Sequence, residues 1–288
     1  MRDLQLRLAR LREKAQARAG ADSPLAERLG RLRVASDAQG KPTTEALAAS
    51  LGGTVIAPGL IELARSFPLP LRHGRVGIRS GKALARAARA VARLTVPVAP
   101  HSLLLLDTET IGLAGGTGTV AFAVGLAWID GSTLRVVQWL MAGFAGERGL
   151  LDRVATRVAG ARVLVSFNGK SFDVPLLKAR GRLIGRPSPF ESAAHVDLLH
   201  TTRRFLHAGW PDCRLRTAEA QALRLERVND LPGSEAPMAW RRWLSHGDGD
   251  LLARVLDHNR TDLLSLAALL ALLEHPTQRE APLLHAAA

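Results

Sequence analysis

Four acidic residues stand in settings suited to holding metal ions: Asp107, Glu109, Asp173 and Asp262. The first two close an apolar run, Leu103-Leu-Leu-Leu-Asp107-Thr-Glu109-Thr-Ile-Gly112, which reads as a buried strand delivering two carboxylates at its tip. Their spacing of two puts both on one face of a regular strand. Asp173 ends Val165-Ser-Phe-Asn168-Gly-Lys-Ser-Phe-Asp173, a strand-and-turn pattern leading into a helix with Pro175 in its first turn. His258 and Asp262 lie four apart in a helical stretch and share a face. Carboxylates are hard oxygen donors for Mg²⁺ or Mn²⁺. Two such ions ~3.5–4 Å apart stabilise the attacking and leaving oxygens of a phosphodiester displacement. His258 would then position or deprotonate the attacking water.

Each residue also has a plainer reading. Asp173 could cap its helix, and an i,i+4 His/Asp pair is often a surface contact. Around Asp262 the plain reading is weaker. Leu263, Leu264 and Leu266 bury the following turn, and a nearly buried carboxylate needs a cation. Asn168 would fix the turn or hydrogen-bond near the site. Gly169-Lys170-Ser171 looks like the tail of a P-loop, but the first glycine of that motif would fall at Leu164. Asp197 would end a strand, either supporting the acids or capping a helix. Lys170 could touch a phosphate or be a solvated loop charge, and Arg203 and Arg204 could line a substrate path. Trp210, Trp240 and Trp243 could stack on bases, although core packing is the commoner role of tryptophan. Cys213 has no partner that would make it a nucleophile or a zinc ligand.

The elements that must carry these residues follow from periodicity. Strands are expected at 103–107, 120–129, 133–141, 161–167 and 194–198, with a hairpin turn at Asp130-Gly131. Helices are expected at 83–94, 150–158, 172–182 and 251–273. Hairpin strands followed by alternating strands and helices imply an α/β fold, a mixed five-stranded sheet flanked by helices. Residues 1–19 read as an amphipathic basic helix. Residues 20–58, punctuated by glycine and proline, read as loops with short helices in a linker or arm. The stretches 60–67 and 76–78 are short and apolar.

Of 288 residues, 39 are Lys or Arg and 26 are Asp or Glu, a formal net charge of +13. The excess is uneven. Residues 1–100 hold 18 basic and 7 acidic side chains, and the remainder 21 and 19. Such a basic segment attracts phosphate backbones without reading sequence. Arg86, Arg89 and Arg93 form a stripe that would face phosphate or water. No apolar run reaches the ~18 residues of a membrane span, and no secretory signal pattern opens the chain. A cytoplasmic location without membrane association is therefore expected.

Together the three acidic segments resemble the three motifs of the DEDD exonuclease superfamily, whose members have a ribonuclease-H-like fold. Leu-Asp107-Thr-Glu109-Thr-Ile-Gly-Leu resembles the first motif, Phe-Asn168-Gly-Lys-Ser-Phe-Asp173 the second, and His258-x-x-x-Asp262 the third. The Gly-Gly-Thr-Gly-Thr run after motif one resembles the bacterial YprB-type branch. The resemblance implies two Mg²⁺ or Mn²⁺ ions on Asp107, Glu109, Asp173 and Asp262. It also implies 3′→5′ cleavage of DNA or RNA from a single-stranded 3′ end. It divides the chain into a basic extension (1–100), a ribonuclease-H-like domain (101–275) and a tail (276–288). One departure is visible. Members carry Tyr four residues before the last Asp or His five before it, whereas this chain has His258 at the tyrosine spacing and no tyrosine at all. Asp257 occupies the other position, as an extra carboxylate or a helix-surface charge. That departure keeps open a nucleic-acid-binding module with a decayed active site. A structure-specific endonuclease on the same fold is also open.

Overall fold

The computed structural model describes residues 41–112, 118–228 and 230–274. The expected helix at 1–19 and the tail at 276–288 lie outside the described residues. In chain order the elements are α1 (Thr44–Leu51), β1 (Thr54–Ala57), β2 (Leu60–Pro68), β3 (Leu71–His73), β4 (Val76–Ile78), α2 (Gly81–Val91), β5 (Leu103–Ile111), β6 (Val120–Asp130) and β7 (Thr133–Met141). There follow α3 (Glu147–Ala159), β8 (Val163–Ser166), α4 (Asp173–Leu183), β9 (Ala194–Asp197), α5 (Leu198–Phe205), α6 (Leu215–Ala218), α7 (Ala236–His246) and α8 (Asp250–Leu272). A single π-helical turn, Glu219–Leu223, continues α6.

The main sheet is mixed, with order β1-β2-β7-β6-β5-β8-β9. β5, β8 and β9 run parallel to one another, and the other pairings are antiparallel. β5 is central because its leucines are apolar on both faces. Leu104 and Leu106 join one core layer, and Leu103 and Leu105 join the other. Burial of each such side chain stabilises the fold by about 1.5–3 kcal/mol. β6 and β7 are joined through Gly131, whose φ of +60° suits the two-residue turn between Asp130 and Thr133.

All five expected strands are present, but the sheet has seven. β1 and β2 come from residues read as loop and as a short apolar stretch, and β2 pairs with the whole of β7. The alternation that marks a strand is hidden in β2. Its outer half, Ala64, Arg65 and Ser66, faces solvent, and Glu62 faces Trp139, whose indole Nε1 donates to its carboxylate at 2.8 Å. The described part of the expected extension is thus built into the sheet. β3 and β4 form a separate two-stranded hairpin.

The long helix α8 crosses the sheet over β5 and β6. Its stripe Leu252, Val255, Leu256, Leu263 and Leu266 is buried. Gly125 of β6 allows the close approach: a Cβ there would lie 2.1 Å from Asn259 Oδ1 and 2.8 Å from Leu263 Cδ1. Among the described residues no helix is long and apolar enough to cross a membrane.

Candidate metal and catalytic site

β5 runs on past its apolar half and carries Asp107 and Glu109 to its far end, with a register irregularity after Glu109. α4 starts at Asp173, and α8 carries His258 and Asp262. The acids feel one another. Burial raises the Asp107 carboxyl well above its ordinary range, and Asp262, Glu109 and Asp173 raise it further. Glu109 is raised the same way, by burial and then by Asp262 and Asp173. Burial pushes Asp173 up to about 6. Asp262 is also raised by burial, against the opposing pull of Arg227 and His258. A buried cluster of like charges is stable only when protonated or met by cations.

Internal donors occupy part of this cluster. Asn259 Nδ2 donates to Asp107 Oδ2 at 2.7 Å, and Asn259 Oδ1 accepts from Gln138 Nε2 at 2.8 Å. Gln138 also donates to the Leu256 carbonyl at 2.7 Å. Asp107, Gly125 and Gln138 are register partners across β5, β6 and β7, so the buried Asn259 side chain bridges this row above the glycine. That bridge ties α8 to the strand that bears the first two acids. Thr108 Oγ1 donates to Asp173 Oδ1 at 2.5 Å. Arg227 Nη2 bonds Asp262 Oδ1. Among the described residues no three His, Cys, Asp or Glu side chains are gathered into a metal-ligand set. The donor chemistry nevertheless suits a hard divalent cation: oxygen ligands, buried and mutually repelling.

His258 is held by a carboxylate that the sequence did not single out. Its Nδ1 lies 2.8 Å from Asp230 Oδ1, and Arg227 Nη1 lies 3.0 Å from the same nitrogen and 3.3 Å from Asp230 Oδ2. Asp230 can only accept and Arg227 can only donate, so with the proton on Nδ1 the bond goes to Asp230, the nearer of the two, and Nε2 keeps its lone pair. Nε2 stands 3.7 Å from Asp262 Oδ2, placed to take a proton from a water beside that carboxylate.

The turn before Asp173 is fixed by Asp197. Its buried carboxylate accepts the backbone N–H groups of Asn168 at 2.7 Å, Lys170 at 3.0 Å and Leu199 at 3.0 Å. Both readings of Asp197 hold, since it caps α5 and braces the turn. Asn168 takes φ +66° there, and Gly169 has no room for a side chain: a Cβ would lie 2.3 Å from Ser166 Oγ. The Lys170, Arg203 and Arg204 side chains are exposed, with Arg204 over the Phe205 ring. Trp240 and Trp243 belong to the core, their indoles donating to the Met141 and Ala142 carbonyls, and Trp240 stacks on Phe122. Trp210 is half-buried against the second core layer. Asp257 is a surface charge paired with Arg260 at 2.7 Å. Arg86 pairs with Glu274, while Arg89 and Arg93 face solvent. Cys213 is a free, half-buried thiol.

Beside the acids opens a cavity of about 840 Å³, lined by Asp107, Thr108, Phe167, Phe172, Asp173 and Leu176 among others. The Phe172 ring is half exposed at its edge.

The RNase_H superfamily profile matches residues 104–274. Over 170 residues the chain is 36% identical to the uncharacterised protein YprB of Bacillus subtilis (strain 168). That stretch covers 59% of this chain and 41% of YprB, so the chain spans less than half of that relative's length. Among solved structures, it overlaps the family B DNA polymerase from the hyperthermophilic archaeon Pyrobaculum calidifontis at 15% identity and a TM-score of 0.45, covering 78% of this chain and 30% of the polymerase. So loose an overlap carries no functional weight.

Proposed function

Because the chain belongs to the RNase_H superfamily, which includes nucleases, we propose that it is a divalent-metal-dependent 3′→5′ exonuclease of the DEDD type, acting on DNA or RNA. One observation carries the reading: Asp107, Glu109, Asp173 and Asp262, from three separate segments, form one largely buried, mutually repelling group beside His258. Mg²⁺ or Mn²⁺ held by those four carboxylates would supply the charge that stabilises the attacking and leaving oxygens.

The chain's own groups do the rest. His258, with its Nδ1 proton directed to Asp230, would take the proton of the attacking water at Nε2. Asn259 and Thr108 hold one oxygen each of Asp107 and Asp173 and leave the other oxygen for the cation. The cavity lined by Phe167 and Phe172 is large enough for a terminal nucleotide. The exposed Phe172 ring offers a stacking surface for its base, worth ~1–3 kcal/mol.

The internal donors on the carboxylates favour one second reading, a binding module that no longer cleaves. Labelled single-stranded DNA and RNA with Mn²⁺, beside the Asp107→Ala/Glu109→Ala variant, separates the two. A ladder that shortens from the 3′ end and disappears in the variant supports the exonuclease. Binding with no metal-dependent cleavage supports the module. Cleavage of a circular substrate would redirect the reading to an endonuclease.

A further inference from the structure

Arg227 sits in an irregular segment after the π-helical turn, yet its side chain is only 6% exposed. Its guanidinium makes a two-pronged pair with Glu219, with Nε donating to Oε2 at 2.7 Å and Nη2 to Oε1. Nη2 also bonds Asp262 Oδ1, and Nη1 reaches Asp230. The anchor is itself anchored. Glu219, fully buried, accepts from Ser265 Oγ at 2.5 Å. That hydroxyl has spent its only proton, so it must accept from His73 Nε2 at 2.9 Å. Burial and the nearby Arg227 charge push His73 down to about 4, so it is a neutral donor.

The hairpin that carries His73 is fastened to the same turn. Arg75 donates its backbone N–H to the Leu223 carbonyl at 2.7 Å and its Nε to the Ala222 carbonyl at 3.0 Å. A Cβ on Gly74 would lie 2.2 Å from Leu223 O. A continuous chain of contacts therefore runs from the β3–β4 hairpin through Ser265, Glu219 and Arg227 to Asp262.

We propose that Arg227 is a positioning residue for Asp262 as a metal ligand: it grips Oδ1 and leaves Oδ2, beside His258 Nε2, to serve a cation. The inference rests on the carboxylates forming a metal site. A guanidinium suits the task because its fork is planar, always charged and able to hold two carboxylates in fixed relative orientation. Glu219, braced through Ser265 by the hairpin, holds it in place.

The test is Mn²⁺ binding by calorimetry on the full chain, with thermal melting beside it. Arg227→Met alone strands Glu219 as a buried charge and can fail to fold. Two other variants avoid that. Glu219→Gln/Arg227→Met removes one buried charge of each sign, and Arg227→Lys keeps the charge but not the fork. The expected result is Mn²⁺ affinity weakened about 10–100-fold in the folded fraction of both, as for loss of a group that orients a ligand. A purely structural role would lower the melting temperature and the bound fraction without moving that affinity. Unchanged or tighter Mn²⁺ binding in either folded variant overturns the proposal while leaving the nuclease reading intact. A wild-type chain that binds no Mn²⁺ overturns both.

Discussion

Asp107 and Asp173 are each met by a neutral donor, Asn259 and Thr108, whereas Asp262 is met by a guanidinium and His258 by a further carboxylate. Neutral donors orient a carboxylate without cancelling its charge, so the strand half of the cluster remains strongly repulsive. The helix half gathers three carboxylates, Glu219, Asp230 and Asp262, around one guanidinium, Arg227, with His258 beside them. Loss of one member of such a network leaves its partner unpaired in a poorly solvated place. Function and folding should therefore separate cleanly in the strand half and fall together in the helix half.

The largest expected effect tests the strand half. Asp107→Ala/Glu109→Ala should lose roughly 10³-fold or more in cleavage rate, beyond the loss of a single transition-state donor. It should melt, without metal, at or above the wild-type temperature. A lower melting temperature would mean that these acids stabilise the fold and that the contrast is misplaced. Next in size is Glu219→Ala, which leaves Arg227 without its main anchor. It should destabilise the protein by about 3–5 kcal/mol in urea unfolding, with activity falling alongside. A shift under ~1 kcal/mol would show that the buried pair is not the support described.

Asp230→Asn should be milder, lowering kcat about 10–100-fold through His258 while leaving KM for the nucleic acid unchanged. A change confined to KM would point to substrate contact instead. The smallest effect concerns pH. Asp173 is raised to about 6, so the folded, metal-free protein holds a proton there that the unfolded chain releases near pH 4. Its contribution is fully present below about pH 4 and is lost as pH rises to about 6. Metal-free Asp173→Asn should thus match wild type at pH 4 and melt a few degrees higher at pH 7.5. Parallel curves at all pH values would remove the charge from the account.

The strand half was the legible half. A leucine run ending in Asp107-Thr-Glu109 shows both the burial and the paired carboxylates, because the two acids are near neighbours in sequence. Asn259 left a trace that went unread: it interrupts the apolar stripe of α8 between Leu256 and Leu263, where a buried polar residue needs partners. Arg227 and Asp230 left none. They lie in a segment without helical or strand period, and their partners on α8 stand 28 to 35 residues away along the chain. β2 escaped for a different reason: β1 covers it only as far as Glu62, and beyond that its exposed stretch Ala64, Arg65 and Ser66 breaks the alternation.

The docking of β2 along β7 has a consequence for solubility. β7 is nine residues long and mostly buried, and β2 satisfies its outer backbone groups along the entire length. A fragment limited to the stretch that matches the superfamily would present that edge, flanked by Trp139 and Leu140, as a bare template for strands of other molecules. β1 and β2, which precede the matched stretch, thus act as a guard against self-association.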